Sequence, residues 1–128
     1  MEYMKAEEAI IAAHDSACQV AEYEINDNDI NIALVQLNGR HPKEGWTTNE
    51  KCKMMGFVMS GHGFVVIEGR KLELSENDVV LILPNEKYYW EGCMTLLVPS
   101  TPAWTPDQCK MLIGEIDSTS AQLPKVPK

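Results

Sequence analysis

Five large aromatic side chains, Trp46, Tyr88, Tyr89, Trp90 and Trp104, fall at the ends of predicted strands, where the mouth of a small barrel would lie. Phenol and indole groups of this kind either cap a core or wall a concave apolar pocket in which one O–H or N–H fixes a ligand's orientation. Alternation along a strand sends Tyr88 and Tyr89 to opposite faces, so only one of them points inward. Thr47, Asn49 and Glu50 follow Trp46 closely and would supply the polar groups of such a pocket. An inward Glu50 against apolar walls would have a raised pKa and could exchange protons; on a solvated loop it would do neither.

The three histidines are scattered: His14 in a helix-forming segment, His41 in a Gly-Arg-His-Pro loop and His62 in a glycine-rich turn. They read as solvated or packed imidazoles, and the one irregular metal site open to them would join His41, Glu50 and a tyrosine. Cys18, Cys52, Cys93 and Cys109 include no Cys-x-x-Cys pair, which argues against a zinc ribbon or a thioredoxin-like motif and for four reduced thiols. Cys109 has no adjacent histidine to activate it and reads as structural.

These side chains must be positioned by a chain of 128 residues, 45% hydrophobic, which suits one domain around a single core. Eight glycines and seven prolines separate short apolar runs, the punctuation of many strands rather than a few long helices. Residues 5–14 (KAEEAIIAAH) are rich in helix formers and predict a short amphipathic helix. From residue 19 the period becomes two, giving strands over 19–25 and 30–37 on either side of an Asn-Asp turn. Residues 39–45, with Pro42, read as a loop.

Residues 54–59 and 64–68 form a predicted hairpin about Ser60-Gly61-His62-Gly63, with a second tight turn at Glu68-Gly69-Arg70. After strand residues Leu72 and Leu74 and a turn at 75–78, the run 79–83 reads as a strand buried on both faces, ended by Pro84-Asn85. Residues 94–98 are one more strand, 107–113 a single helical turn, and the Pro-containing end frays. The segments are a helical 1–18, a barrel domain 19–113 and a tail 114–128. The class is all-β.

From Gly56 to Pro84 the order strand, SGHG, strand, EGR, strand, ENDVVLI, LP is similar to the cupin family, and TPAWTPDQ looks like the exit segment of small cupins. The resemblance covers about residues 30–104 and implies a jelly-roll β-barrel, frequently a homodimer, with a ligand or metal inside. It also implies where metal ligands would stand: two histidines at Thr47 and Asn49 (or Thr48 and Glu50), a glutamate at Met54, and a last histidine at Tyr88, with Tyr89 the other choice. Alcohol, amide or carboxylate, thioether and phenol make a set with little affinity for zinc, iron or manganese, so neither metal nor other cofactor is expected.

A formal net charge of −8, with Lys and Arg dispersed, argues against nucleic acid as a partner. No apolar stretch is long enough to span a bilayer and no secretory signal pattern opens the chain, so a cytoplasmic location is expected. The expectation is a small-molecule binding protein working without metal, its pocket built from Trp46, Asn49, Met54, Tyr88 and Trp90. An isomerase or lyase using Tyr88 and Glu50 is the enzymatic alternative. A dimeric interaction module, working through the N-terminal helix and strand 19–25, is the third reading.

Overall fold

The computed structural model describes residues 1–112. Nine strands make one curled sheet: β1 (Ile10–Asp15), β2 (Cys18–Tyr23), β3 (Asn31–His41), β4 (Trp46–Asn49), β5 (Lys53–Ile67), β6 (Arg70–Ser75), β7 (Val79–Ile82), β8 (Tyr88–Thr101) and β9 (Cys109–Leu112). The all-β class read from the sequence is the observed one. β8 is the spine. Along one edge it pairs antiparallel with β3 and then, at Thr47↔Tyr88, with β4; along the other it pairs with β5 over nearly its whole length.

The even-numbered residues of β8 (Tyr88, Trp90, Met94, Leu96, Val98, Ser100) are buried, the period of two expected when one face of a strand meets a core. The partner residues Leu37, Val35 and Ala33 of β3 lie across from Met94, Leu96 and Val98 and complete that wall. Met54 and Val58 of β5, with Leu74 and Ile82 from the strands beside it, close the core from the other side.

β5 departs from the expected hairpin. Ser60-Gly61-His62-Gly63 is not a turn but the middle of a 15-residue strand. A bulge between Val58 and Ser60 changes which residues face inward, from the even-numbered Met54 and Val58 before it to Val65 after it. The glycines serve close approach: a Cβ on Gly63 would stand 2.4 Å from the Glu91 carbonyl oxygen, and one on Gly92 2.5 Å from the Gly63 Cα. The backbones of β5 and β8 touch where no side chain fits between them.

Four further expectations are corrected. The predicted helix over 5–14 is a three-residue 3₁₀ turn, Ala6–Glu8, followed by strand β1, because residues 10–15 pair with β2 and the ladder outweighs the helix propensity of the alanines. β3 continues to His41, through residues expected to be a loop. β7 is not buried on both faces: Val79 and Leu81 are exposed and Ile82 is buried. The helical turn expected over 107–113 is also corrected: residues 107 and 108 end the 3₁₀ segment Pro106–Gln108, Cys109–Leu112 is strand β9, and residue 113 lies outside the described residues. The tail 114–128 lies outside the described residues.

The turns read from Glu68-Gly69, Asn77 and Asn85 are all present, and each of these residues has positive φ. Glycine, asparagine and a turn glutamate tolerate that region better than branched residues do.

Candidate functional site

A cavity of about 190 Å³ lies inside the curl, between β2, β3, β4, β8 and β9. Its walls are largely apolar, with Val20, Val35, Leu96, Val98 and Trp90 contributing. Polar groups gather at one end, delivered by the strand alternation that buries Thr47 and Asn49 on β4 and Tyr88 on β8.

At that end the hydrogen bonds have a fixed direction. The Trp104 indole Nε1 can only donate, and it does so to Asn49 Oδ1 at 2.8 Å. The amide orientation of Asn49 is thereby set, and Nδ2 donates to the Tyr88 hydroxyl at 3.2 Å and to Met54 Sδ at 3.7 Å. With its oxygen already accepting, the Tyr88 O–H is turned outward from Asn49, toward the Met54 sulfur at 3.8 Å, a weak acceptor, with the Thr47 hydroxyl also in reach. A ligand oxygen would be a better acceptor than the sulfur.

Burial pushes the Tyr88 phenol well above its ordinary pKa of 10.0, the nearby Cys109 thiol adds to the rise, and hydrogen bonds from Asn49 and Thr47 oppose it. The phenol therefore keeps its proton throughout the neutral range. Cys109 itself lines the cavity, its sulfur 3.5 Å from the Thr47 hydroxyl.

Gln108 holds this end in place. It is 1% exposed, its Oε1 accepts from the backbone N–H groups of Lys51 (3.1 Å) and Cys52 (2.8 Å), and its Nε2 donates to Thr105 Oγ1. The link between Asn49 and Met54 is thus tied to the 3₁₀ segment. Glu22 and Glu24 also line the cavity, whereas no lysine or arginine does among the described residues.

Of the residues singled out in the sequence, Thr47, Asn49, Met54, Tyr88, Trp90 and Trp104 come together around this cavity. Trp46 and Tyr89 do not: their rings meet edge to face, 5.2 Å apart, and the Arg40 guanidinium lies 3.7 Å from the Tyr89 centroid. Glu50 is also outside, half exposed and 3.8 Å from Lys110. The Tyr88–Glu50 pair expected to exchange protons is therefore not assembled. His41, set aside in the sequence as a loop histidine, lines the cavity at the end of β3, opposite Trp90. Its signal was the period of two in Ala33, Val35, Leu37, Gly39 and His41.

A scan against protein-family models and a search of curated proteins give no match. Solved structures do match. Pac13, described as a unique nucleoside dehydratase, superposes with a TM-score of 0.80 at 17% identity, over 88% of this chain and 92% of that one. Two Streptomyces Pac13 structures with uridine, one a His→Gln and one a Tyr→Phe variant, match at TM-scores of 0.77 and 0.80, with 16% and 17% identity, covering 86% and 93% of this chain and 91% and 97% of theirs. An RmlC-like cupin from Shewanella frigidimarina matches at 0.64 and 12% identity, over 82% of this chain and 93% of that one.

The chain has the cupin fold. The four positions where the resemblance implies metal ligands, Thr47, Asn49, Met54 and Tyr88, are neighbours at the cavity's polar end. Their chemistry does not fit a metal. Asn49 Oδ1 is committed to Trp104, the phenol is held protonated, and a thioether and an alcohol complete the set. No group of three or more His, Cys, Asp or Glu side chains is placed to bind a metal ion among the described residues.

Proposed function

We propose that this cupin binds an uncharged organic molecule in its barrel, through an oxygen that accepts the Tyr88 O–H. The observation that carries this reading is the one-way chain Trp104 to Asn49 to Tyr88, which places a phenol donor at the cavity's polar end beside the Met54 thioether and the Thr47 hydroxyl. The carboxylates of Glu22 and Glu24 and the lack of any cation in the described wall favour a neutral guest over a carboxylate or phosphate, whose burial unpaired is costly. Uridine, present in the Pac13 structures, is a neutral molecule with such oxygens and is the first probe.

Calorimetric titration tests this. Uridine should bind, uridine monophosphate should bind more weakly, and Tyr88→Phe should weaken uridine by roughly 2- to 13-fold, the value of one neutral hydrogen bond. Tighter binding of the monophosphate, or an affinity unchanged in Tyr88→Phe, overturns the proposal. If uridine fails to bind, a thermal-shift screen of neutral and anionic compounds asks the same question, and stabilisation by anions alone refutes it.

A second reading, that the site is catalytic, rests on His41 and Tyr88 sharing one cavity. His41 would take a proton from a substrate carbon while Tyr88 protonates the departing hydroxyl, so that a C=C bond forms and water leaves. The proton then returns from the imidazole to the phenolate. Pac13's description as a nucleoside dehydratase supports this choice of reaction. Loss of one water from uridine or a related nucleoside, detected by mass spectrometry and abolished in His41→Gln without loss of binding, would establish it; binding without turnover of any nucleoside tested leaves the barrel a binding site.

A further inference from the structure

Strand β2 brings charge to the cavity wall. Its even-numbered side chains face the curl: Cys18 and Val20 are buried, and Glu22 and Glu24 continue the same row along the cavity, Glu22 half-buried and Glu24 exposed at the rim. A strand that had only to close the core would carry apolar residues at these positions. Among the described residues neither carboxylate takes part in a side-chain hydrogen bond or an ion pair. Glu22 lies across from Ala33, two residues from Asn31. Asn31 is already committed, its Nδ2 donating to the Trp104 carbonyl at 3.0 Å and its Oδ1 accepting from the Trp104 N–H at 2.9 Å.

The carboxylates stand apart from the Tyr88 hydroxyl, which lies beside Met54. Asn31, Ser100 and Met54 share one row across β3, β8 and β5, and β2 is the next strand beyond β3. Three strand spacings of about 4.8 Å put β2 roughly 14 Å from β5 along the sheet, and the curl and the inward reach of the side chains shorten that gap across the cavity. One part of the wall therefore offers a phenol donor, while the carboxylates of β2 can only accept.

We propose that Glu22, with Glu24 at the rim, accepts the vicinal hydroxyls of a sugar, so that the guest of this barrel is a neutral glycoside or nucleoside with an acceptor oxygen at Tyr88 and a diol at Glu22. This rests on the reading of the barrel as a binding site and names the class of molecule it takes. The two carboxylates, about 7 Å apart along the strand, match hydroxyls spread around a ring better than the single point charge of an ammonium group. A hydroxyl donating to a carboxylate makes a charge-assisted bond, roughly twice as strong as a neutral one. A guest without those hydroxyls leaves the half-buried Glu22 oxygens desolvated with no donor.

Calorimetric titration of the wild type, Glu22→Gln and Tyr88→Phe with uridine and with dideoxyuridine, which lacks both ribose ring hydroxyls, is the test. The wild type should bind uridine about 10-fold or more tightly than the dideoxy compound. Glu22→Gln, which keeps the shape of the side chain, should weaken uridine roughly 10-fold and dideoxyuridine hardly at all, whereas Tyr88→Phe should weaken both alike. Equal affinity of the wild type for the two compounds, or equal weakening of both in Glu22→Gln, overturns the inference, and the Tyr88 contact still stands if Tyr88→Phe weakens both. A preference abolished in Glu22→Gln, with Tyr88→Phe without effect, sustains the inference and refutes the Tyr88 contact instead. If neither compound binds, thermal shifts with neutral glycosides, their deoxy counterparts and primary amines decide. Stabilisation by diol-bearing glycosides that is lost in Glu22→Gln sustains the inference; stabilisation by amines alone, or by none of these compounds, overturns it.

Discussion

Replacing Tyr88 with phenylalanine should change the shape of this protein's stability against pH as well as its height. At pH 8 the variant loses the oxygen that accepts from Asn49 Nδ2, leaving that buried N–H with only the Met54 sulfur at 3.7 Å. A buried donor so deprived costs about 1–2 kcal/mol, a drop of roughly 4–8 °C in Tm for a domain of this size. Above pH 10 the order changes. The folded phenol has its pKa raised by burial, so the unfolded chain gives up this proton first, and wild-type stability falls as pH rises past the unfolded value of 10.0.

By pH 11 that loss reaches about 1.4 kcal/mol, and the variant, which has no phenol here, escapes it. The two proteins differ at this one phenol, so their difference isolates Tyr88. Urea denaturation at half-unit steps from pH 8 to 11 should show the gap between the two proteins closing and nearly vanishing at the top. Parallel curves across that range would mean that the phenol ionises as readily folded as unfolded, and the account of a buried phenol that keeps its proton in the resting protein would be wrong.

Three other outcomes follow from the geometry. Gly92→Ala sets a methyl 2.5 Å from the Gly63 Cα at a φ of +141°, and should destabilise the fold by about 3 kcal/mol or more in denaturant titrations; a loss below 1 kcal/mol would deny the close crossing of β5 and β8. Gln108→Leu strips two backbone donors of their acceptor and should cost roughly 2–4 kcal/mol, measured the same way. Thiol labelling followed by peptide mapping should modify the exposed Cys93 first and Cys109 next, with Cys109 shielded by any cavity ligand. Cys52, buried and with its pKa raised chiefly by that burial, should react only on unfolding.

The turns and the strand alternation were legible because their causes are local. Asn77, Asn85 and Glu68-Gly69 announce positive φ, and the even positions of β8 announce their face. What escaped notice depended on distant partners. Gly61 and Gly63 have the composition of a turn, and only the approach of Gly92 from another strand turns them into a crossing. Residues 10–15 have helical propensity that the ladder to β2 overrides. The polar end of the cavity was foreseen in Thr47, Asn49, Met54 and Tyr88, whereas Glu50 is one residue out of phase with Asn49 and so faces away. The place of His41 on a strand facing the cavity was not anticipated, because Pro42 suggested a loop, and Gln108 was not, because a lone glutamine has no signature.

On the proposed reading, the relay that begins at the Trp104 indole would make the barrel read one kind of atom. A keto oxygen reaching the phenol would meet a proton, while an amino group in the same place would set donor against donor. Two pyrimidine bases that differ chiefly in that exchange, uracil and cytosine, would accordingly be told apart by the orientation of a single asparagine.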